Sequence, residues 1–241
     1  MKIKDIIIDG SGKNNFGWLA TKKWIPMPRL FRETMTQYKL RRQLKDTKIR
    51  TWWRFWASPF DKKKFTDDLD LMHQINGRGT YMVSKFCLPH LKKSDNPHIL
   101  NLAPPLDMEA KWFAGTVAYT MAKYTMSMCV LGMAEEFKDM GIAVNALWPR
   151  TAIATAAVQN HLGGDEIMKL SRTVEIMADA SYEILTKDSK EFTGNFCIDD
   201  IVLYESGVKD FTKYASVPFG ELMPDFFVPD STPLPDEIKN S

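Results

Sequence analysis

Between residues 67 and 199 the chain alternates short apolar runs with amphipathic segments, and this alternation restricts the fold more than any other feature. The apolar runs end at prolines or turn residues, whereas the intervening segments carry apolar residues at helical spacing. We predict strands at 98–103, 142–148 and 192–199, and helices at 67–93, 116–140 and 173–187. Strands joined by helices run parallel, so this order predicts an α/β fold with a parallel sheet and flanking helices.

The first 66 residues differ in composition from the rest. They contain 17 Lys and Arg but only 5 Asp and Glu, together with five of the seven tryptophans. We therefore divide the chain into an atypical basic, Trp-rich segment (1–66) and an α/β unit (67–241) that ends in an irregular tail after Tyr214. A basic arm can bind nucleic acid, but no recognised nucleic-acid-binding motif accompanies this one, so we do not expect nucleic acid as a partner.

The start of the chain has one feature of a nucleotide site. A first strand is predicted at 4–9, and Gly10, Gly12 and Gly17 follow it. A Gly-rich turn after a strand is where a dinucleotide pyrophosphate binds. The spacing G-x-G-x-x-x-x-G departs from the usual fingerprint, so a phosphate-binding turn and an ordinary turn both remain open. No two further strands can be placed before residue 66, which predicts an incomplete or atypical nucleotide-binding half.

Composition excludes several other classes. No apolar run approaches the roughly 18–20 residues of a membrane span, so we expect none. Three widely spaced cysteines and four histidines without metal-ligand spacing predict neither a disulfide framework nor a metal site. We also expect no secretory signal at the start and no peroxisomal Ser-Lys-Leu signal at the end of the chain.

Tyr119 and Lys123 form the motif that carries chemistry. Residues at i and i+4 share one face of a helix. A phenol loses its proton near pH ~10, but a fixed ammonium nearby favours the phenolate and lowers that pKa. Such a pair can exchange a proton with an alcohol or carbonyl oxygen. Taken alone, the motif also fits a packed tyrosine beside a solvated lysine.

The surroundings of this motif resemble the C-terminal half of the short-chain dehydrogenase/reductase family over roughly residues 67–230. The segments that carry the resemblance are NGRGTY (76–81), PP (104–105), AYTMAKY (118–124), VLGMAEEF (130–137), AVNALWP (143–149), TGNF (193–196) and PDFF (224–227). The fold that this resemblance implies is a Rossmann-like parallel sheet with flanking helices.

The resemblance implies roles for individual residues. Tyr119 would be the catalytic acid/base, Lys123 would bind the nicotinamide ribose and lower the pKa of Tyr119, and Asn76 would anchor a water that relays protons. The residues implied to contact the cofactor are Lys123, Pro149, Thr151 and Thr155.

The implied reaction is reversible hydride transfer between NADP or NAD and an alcohol or ketone. The family further implies an apolar small-molecule substrate, such as a lipid or steroid, and a homo-oligomer built on the 116–140 helix. The resembling subfamily is associated with peroxisomes and mitochondria, which sets the expected location.

Two departures from the family define an alternative. The serine that would orient the substrate falls near Ala103-Pro104-Pro105-Leu106, where no side chain can donate a hydrogen bond. The family's Gly-rich cofactor motif is absent, and Trp52-Trp53-Arg54 stands where its Asn-Asn-Ala segment would fall. The alternative reading is a catalytically inactive relative that serves as an interaction or dimerisation module.

Overall fold

A parallel sheet of four strands lies at the centre of the described part of the chain. The computed structural model describes residues 5–8, 65–162, 164–217 and 221–239. Its strands are β1 (Asp5–Ile8), β2 (His98–Asn101), β3 (Ala143–Trp148) and β4 (Phe196–Ile198), in the spatial order β1-β2-β3-β4. Adjacent strands are parallel throughout, which confirms the predicted α/β fold with a parallel sheet.

Helices connect and cover these strands. They are α1 (Phe65–His73), α2 (Gly79–Leu91), α3 (Val117–Glu136), α4 (Gly164–Lys169), α5 (Glu175–Thr186), α6 (Asp199–Glu205) and α7 (Asp236–Lys239). Wider π-helical turns occupy Gln74–Arg78 and Val158–Leu162. Short 3₁₀ turns lie at Ala110–Trp112, Lys138–Met140 and Thr212–Tyr214.

The two faces of the sheet support separate cores. Every residue of β2 and β3 is buried, as expected for parallel strands covered on both sides. Successive side chains alternate between faces. The core between the sheet and helices α2 and α3 includes Leu91, Ile99, Met126, Val130, Val144 and Ala146. The core on the opposite face, under α5 and α6, includes Leu100, Leu147, Ile176, Ile184, Leu203 and Tyr214.

The predicted elements agree with the structure, apart from the division of one helix and the length of one strand. The expected 67–93 helix is divided into α1 and α2 by the π-helical turn, and the expected strand at 192–199 is shorter because α6 begins at Asp199. The predicted strand at 4–9 is present as β1. Most of the basic Trp-rich segment, including the turn at 10–17 and Trp52-Trp53-Arg54, lies outside the described residues.

The described helices include none that is both long and apolar enough to cross a bilayer.

The C-terminal segment 221–234, which we call the strap, is mainly irregular. It returns to the carboxyl end of β3, where Pro224 pairs with Thr151 in an antiparallel bridge.

A close approach of two helices fixes the π-helical turn against α3. A Cβ added to Gly77 would lie 2.5 Å from Cγ2 of Thr125, so the helices contact each other where Gly77 has no side chain.

We therefore expect Gly77→Ala to destabilise the fold by about 1–3 kcal/mol through overpacking, as measured by urea unfolding. Thr125→Ser removes the clashing methyl and should restore most of the loss. Gly132→Ala, on an exposed part of α3 with no neighbour near its Cβ, is the control and should stabilise by about 0.5–1 kcal/mol. Equal effects at the two glycines would contradict the close approach.

Candidate active site

Helix α3 places Tyr119 and Lys123 one turn apart on the face that adjoins the carboxyl end of the sheet. Lys123 is buried, with 5% of its surface exposed, and Tyr119 is half-buried. The Lys123 ammonium lies 5.4 Å from the ring centre of Trp148, the last residue of β3. The predicted pair therefore lies at the carboxyl end of the strands, where open α/β folds bind ligands.

A carboxylate from the strap acts on Lys123. Burial raises the pKa of Asp225 to about 7, and attraction to the Lys123 ammonium opposes that rise. The ammonium also has Met126 Sδ at 4.0 Å and the Trp148 ring as neighbours. A buried cation costs less free energy when an aromatic face lies beside it.

Aromatic rings enclose Tyr119 from the strap side. Its ring stacks on Phe227, with centroids 5.9 Å apart and an interplanar angle of 22°. Phe227 is fully buried and also contacts Tyr124, Trp148 and Trp112 at centroid distances of 5.4 to 5.9 Å.

Phe227 has a φ of +67°, in the left-handed region that residues with a Cβ seldom adopt. That conformation costs about 1–2 kcal/mol. The ring contacts offset this cost, and such strain is typical of functional sites.

Two further hydroxyls of α3 hold the loop that follows β2. Tyr124 donates to the Asp107 carbonyl at 2.5 Å, and Ser127 donates to the Pro104 carbonyl at 2.7 Å. Burial raises the pKa of Tyr124, so this tyrosine keeps its proton at neutral pH. These hydroxyls position the Pro104-Pro105 loop, where the substrate-orienting serine would have been expected.

Asn76 lies in the π-helical turn that packs on α3. Its amide donates to the Met72 carbonyl at 2.9 Å, but its amide oxygen is buried and has no hydrogen-bond partner among the described residues. The same holds for the hydroxyls of Thr80 and Ser84, one and two turns further along. π-helical turns are frequent at functional sites, and these atoms suit ordered water or a polar ligand.

The segment that follows β3 contains the other predicted cofactor contacts. Pro149 and Thr151 are buried directly after Trp148, next to the aromatic face that holds Lys123. The Thr155 hydroxyl accepts the Val158 N–H at 3.3 Å and so caps the turn that begins there. Pro149 and Thr151 thus follow closely the residue that lies beside Lys123, whereas Thr155 lies further along the chain.

A buried ionic cluster holds this segment in place. The Asp200 carboxylate accepts hydrogen bonds from Arg150 Nε at 2.6 Å and Arg172 Nη1 at 2.9 Å. The backbone N–H groups of Arg150 and Asp200 both donate to Asp199 Oδ1. A second Arg150 nitrogen donates to the Pro233 carbonyl of the strap at 2.7 Å.

An open cavity of about 520 Å³ lies between this segment and the strap. Its lining includes Trp112, Arg150, Asp225, Phe226 and Val228. That volume suits a small molecule, and an apolar wall with a few polar groups is typical of such sites.

The described residues fit the nicotinamide ribose half of a dinucleotide. Lys123 supplies an ammonium, and the Asn76 oxygen is a buried acceptor without a partner in the described part of the chain. The Thr151 hydroxyl makes a long hydrogen bond, at 3.5 Å, to the Ala152 carbonyl. The turn expected to hold the pyrophosphate, at 10–17, falls outside the described ranges.

Sequence reasoning missed the strap as part of this site. The 224–227 segment resembled the family, but Asp225 and Phe227 received no role because nothing in their local pattern shows that they return to α3. Trp148 and Tyr124 likewise have no local feature that predicts their part in the site. Their roles depend on contacts between residues far apart in the chain.

This chain is similar to a protein-family model, to curated relatives and to solved structures. The family model described as enoyl-(acyl carrier protein) reductase matches residues 61–182, about half of the chain. Hydroxysteroid dehydrogenase-like protein 2 of Danio rerio is 60% identical over 159 residues, and that of Bos taurus is 58% identical over 163 residues. A short chain dehydrogenase from Mycobacterium thermoresistibile is 54% identical, with a TM-score of 0.63.

These matches cover only part of each relative. They include 66% and 68% of this chain but 38% of each of the two curated relatives, so the chain spans little more than a third of their length. The Mycobacterium match covers 69% of this chain and 59% of that structure.

The ionic cluster predicts a pH dependence of stability. Burial and the neighbouring Asp200 carboxylate raise the pKa of Asp199 to about 7. Between its ordinary value near 4 and that raised value, the folded chain keeps a proton that the unfolded chain has released. The contribution of Asp199 to stability therefore falls as the pH rises through this window.

Asp199→Asn should remove that part of the pH dependence. Urea unfolding of both chains at about pH 5 and pH 8 measures it, and the variant should lose less stability between the two. Asp139→Asn, at an exposed position, serves as the matched control. An unchanged pH dependence in Asp199→Asn would show that Asp199 is already ionised in the folded chain.

Proposed function

Because the chain belongs to the short-chain dehydrogenase/reductase family of oxidoreductases, we propose that it transfers a hydride reversibly between NADP or NAD and an alcohol or ketone. The observation that carries this proposal is the placement of Tyr119 and buried Lys123 one helical turn apart at the carboxyl end of the sheet. A phenol and a desolvated ammonium in this arrangement suit proton exchange with a substrate oxygen.

In this proposal Tyr119 gives a proton to the developing alkoxide during reduction and takes it back during oxidation. The Lys123 ammonium favours the phenolate form, and its burial strengthens that electrostatic effect. Asn76 holds a water that returns protons towards Lys123, which suits its buried amide oxygen. The ring of Phe227 excludes water from one face of Tyr119.

The cofactor would supply the hydride chemistry when bound. Lys123 would bind its ribose hydroxyls, and Pro149 and Thr151 would border its nicotinamide. Thr155 would lie towards its pyrophosphate, at the start of a helical turn whose N–H groups favour anions. These roles are supported by the family, by the burial of Lys123 on α3 and by the position of the other three residues after β3.

For the substrate we propose an apolar, lipid-like or steroid-like alcohol or ketone. Rings of Trp112, Phe226 and Phe227 surround the site and the adjacent cavity. The name of the two curated relatives, hydroxysteroid dehydrogenase-like protein 2, agrees with such a substrate.

Tyr119→Phe tests this function. It should reduce turnover of NADPH or NADH with test ketones by about 10²–10⁴-fold, because it removes the proton donor. Cofactor binding, followed as a rise in melting temperature, should persist because the ribose contacts do not use the phenol oxygen. Tyr182→Phe, at an exposed position on α5, is the matched control and should keep full turnover.

Other outcomes would reject specific parts of the proposal. Turnover that survives in Tyr119→Phe would remove the acid/base role of Tyr119. No binding of either cofactor to a chain that unfolds cooperatively would favour the alternative, a non-catalytic interaction or dimerisation module.

We also propose that the chain forms a homo-oligomer through α3. Met121, Met128 and Leu131 lie along one stripe of this helix and are 46% to 56% exposed. Apolar side chains in such a row are typical of an interface.

Light scattering of the purified chain should therefore show a dimer or larger species, and Met128→Lys with Leu131→Glu should weaken it by at least about tenfold. Tyr182→Lys, on a different exposed helix, should leave the assembly unchanged. A monomer at all accessible concentrations would contradict the interface.

A further inference from the structure

The side chain of Phe227 joins the strap to three other parts of the molecule. Its ring is fully buried, and its centroid lies 5.4 to 5.9 Å from those of five other aromatic rings. Those rings belong to Tyr119 and Tyr124 of α3, Trp148 at the end of β3, Trp112 in a 3₁₀ turn and Phe226 in the strap. Distances of this size are those of favourable aromatic pairs, so Phe227 holds these elements together.

The contact with Tyr119 differs from the other four in its geometry. The rings of Phe227 and Tyr119 are stacked, with an interplanar angle of 22°, whereas the other pairs are tilted at 53° to 66°. A stacked ring covers one face of the phenol. The Tyr119 side chain therefore cannot swing towards the strap without meeting Phe227.

Helix α3 does not by itself fix the place of the Tyr119 phenol oxygen. Aromatic side chains on a helix adopt either of two χ1 rotamers, and the end of the side chain lies in a different place in each. The helix determines where the Cβ atom of Tyr119 lies, but the choice between rotamers depends on contacts from outside the helix. The stack with Phe227 is such a contact.

The backbone that carries Phe227 is itself anchored. The carbonyl of the preceding residue, Phe226, accepts a hydrogen bond from Trp148 Nε1 at 2.6 Å. One residue earlier, the Asp225 N–H donates to the Arg150 carbonyl at 2.9 Å. The strap is therefore tied to the end of β3, and to the segment that follows it, immediately before the stacked ring.

The backbone conformation of Phe227 shows that the structure depends on its ring. A φ of +67° suits glycine better than any residue with a Cβ, because glycine adopts left-handed conformations without a steric cost. Phenylalanine is strained in this conformation, and the contacts of its ring offset the strain. A turn that needed only this backbone shape would be more stable with glycine.

We propose that Phe227 is a positioning residue that keeps the Tyr119 phenol in one rotamer. Its catalytic consequence rests on the proposed function, in which Tyr119 exchanges a proton with the substrate oxygen. A displacement of a reacting group by about 1 Å can lower a rate by roughly 100-fold. Loss of the Phe227 ring should therefore slow the proton exchange although the phenol itself is still present.

The rotamer of Tyr119 tests this role without requiring activity. In a crystal structure of Phe227→Leu, the Tyr119 side chain should be displaced or divided between two rotamers, because no ring replaces the stacked one. Phe227→Met fills more of the same space without a ring, and it serves as the second variant if Phe227→Leu does not fold. A single, unchanged rotamer of Tyr119 would overturn the proposal.

A double-mutant cycle of Phe227→Leu and Tyr119→Leu measures the stack in solution by urea unfolding. The effect of Phe227→Leu on the unfolding equilibrium constant should be about threefold or more larger in the unmodified chain than in Tyr119→Leu. Additive effects of the two substitutions would overturn the contact on which the proposal rests.

The matched control is Phe211→Leu. Phe211 is also fully buried and contacts a tyrosine, Tyr214, with centroids 6.2 Å apart, but it lies in the core on the opposite face of the sheet. Its substitution should destabilise the fold, show no coupling to Tyr119→Leu and leave the Tyr119 rotamer unchanged. A displaced Tyr119 in this control would overturn the proposal, because any loss of core packing would then have the same effect.

Turnover then connects the place of the phenol with the proposed reaction. Phe227→Leu should lower kcat about tenfold or more, and it should have no further effect in the Tyr119→Phe background. The rise in melting temperature with NADPH or NADH should persist, because Phe227 acts on Tyr119 and not on the cofactor. A displaced Tyr119 with unchanged kcat would overturn the catalytic consequence.

The failure of the proposed function would be distinguishable from the failure of this inference. If the unmodified chain turns over no ketone, the proposed reaction fails. The Tyr119 rotamer and the unfolding cycle then still decide whether Phe227 holds Tyr119 in place.

Discussion

A buried carboxylate, Asp200, joins the segments that meet at the carboxyl end of the sheet. It stands at the start of α6, and it binds Arg150 after β3 and Arg172 before α5. Breaking such a buried pair on one side leaves an uncompensated charge and typically costs about 3–5 kcal/mol. The cluster therefore keeps the segment after β3 in one place, and through Arg150 it also reaches the strap at Pro233.

The Tyr119–Lys123 pair depends on this arrangement although it belongs to another helix. Helix α3 alone determines that Tyr119 and Lys123 share a face. Residues from outside the helix cover the pair: Trp148 lies beside Lys123, and Phe227 stacks on Tyr119. Trp148 ends β3 and Phe227 belongs to the strap, so the pair is enclosed from the side opposite α3.

The sequence predicted the layered α/β order because strands and helices leave local patterns of apolar residues. Family resemblance also predicts roles for Tyr119, Lys123, Asn76 and the residues after β3, and these roles stay predictions. The π-helical turn was missed because one extra residue per turn hardly alters an apolar pattern. The roles of Asp200 and Phe227 could not be predicted, since each depends on a contact with residues far away in the chain.

The strap has a consequence for the order in which the molecule is assembled during synthesis. Trp148 bonds to a residue 78 positions later, and Arg150 bonds to one 83 positions later. Helix α3 and strands β2 and β3 are made well before those partners leave the ribosome, so the nascent chain exposes the ring of Trp148 and the Tyr119 face in the meantime. Long-range closure of this kind is slow and leaves apolar surface open to chaperones or to premature association.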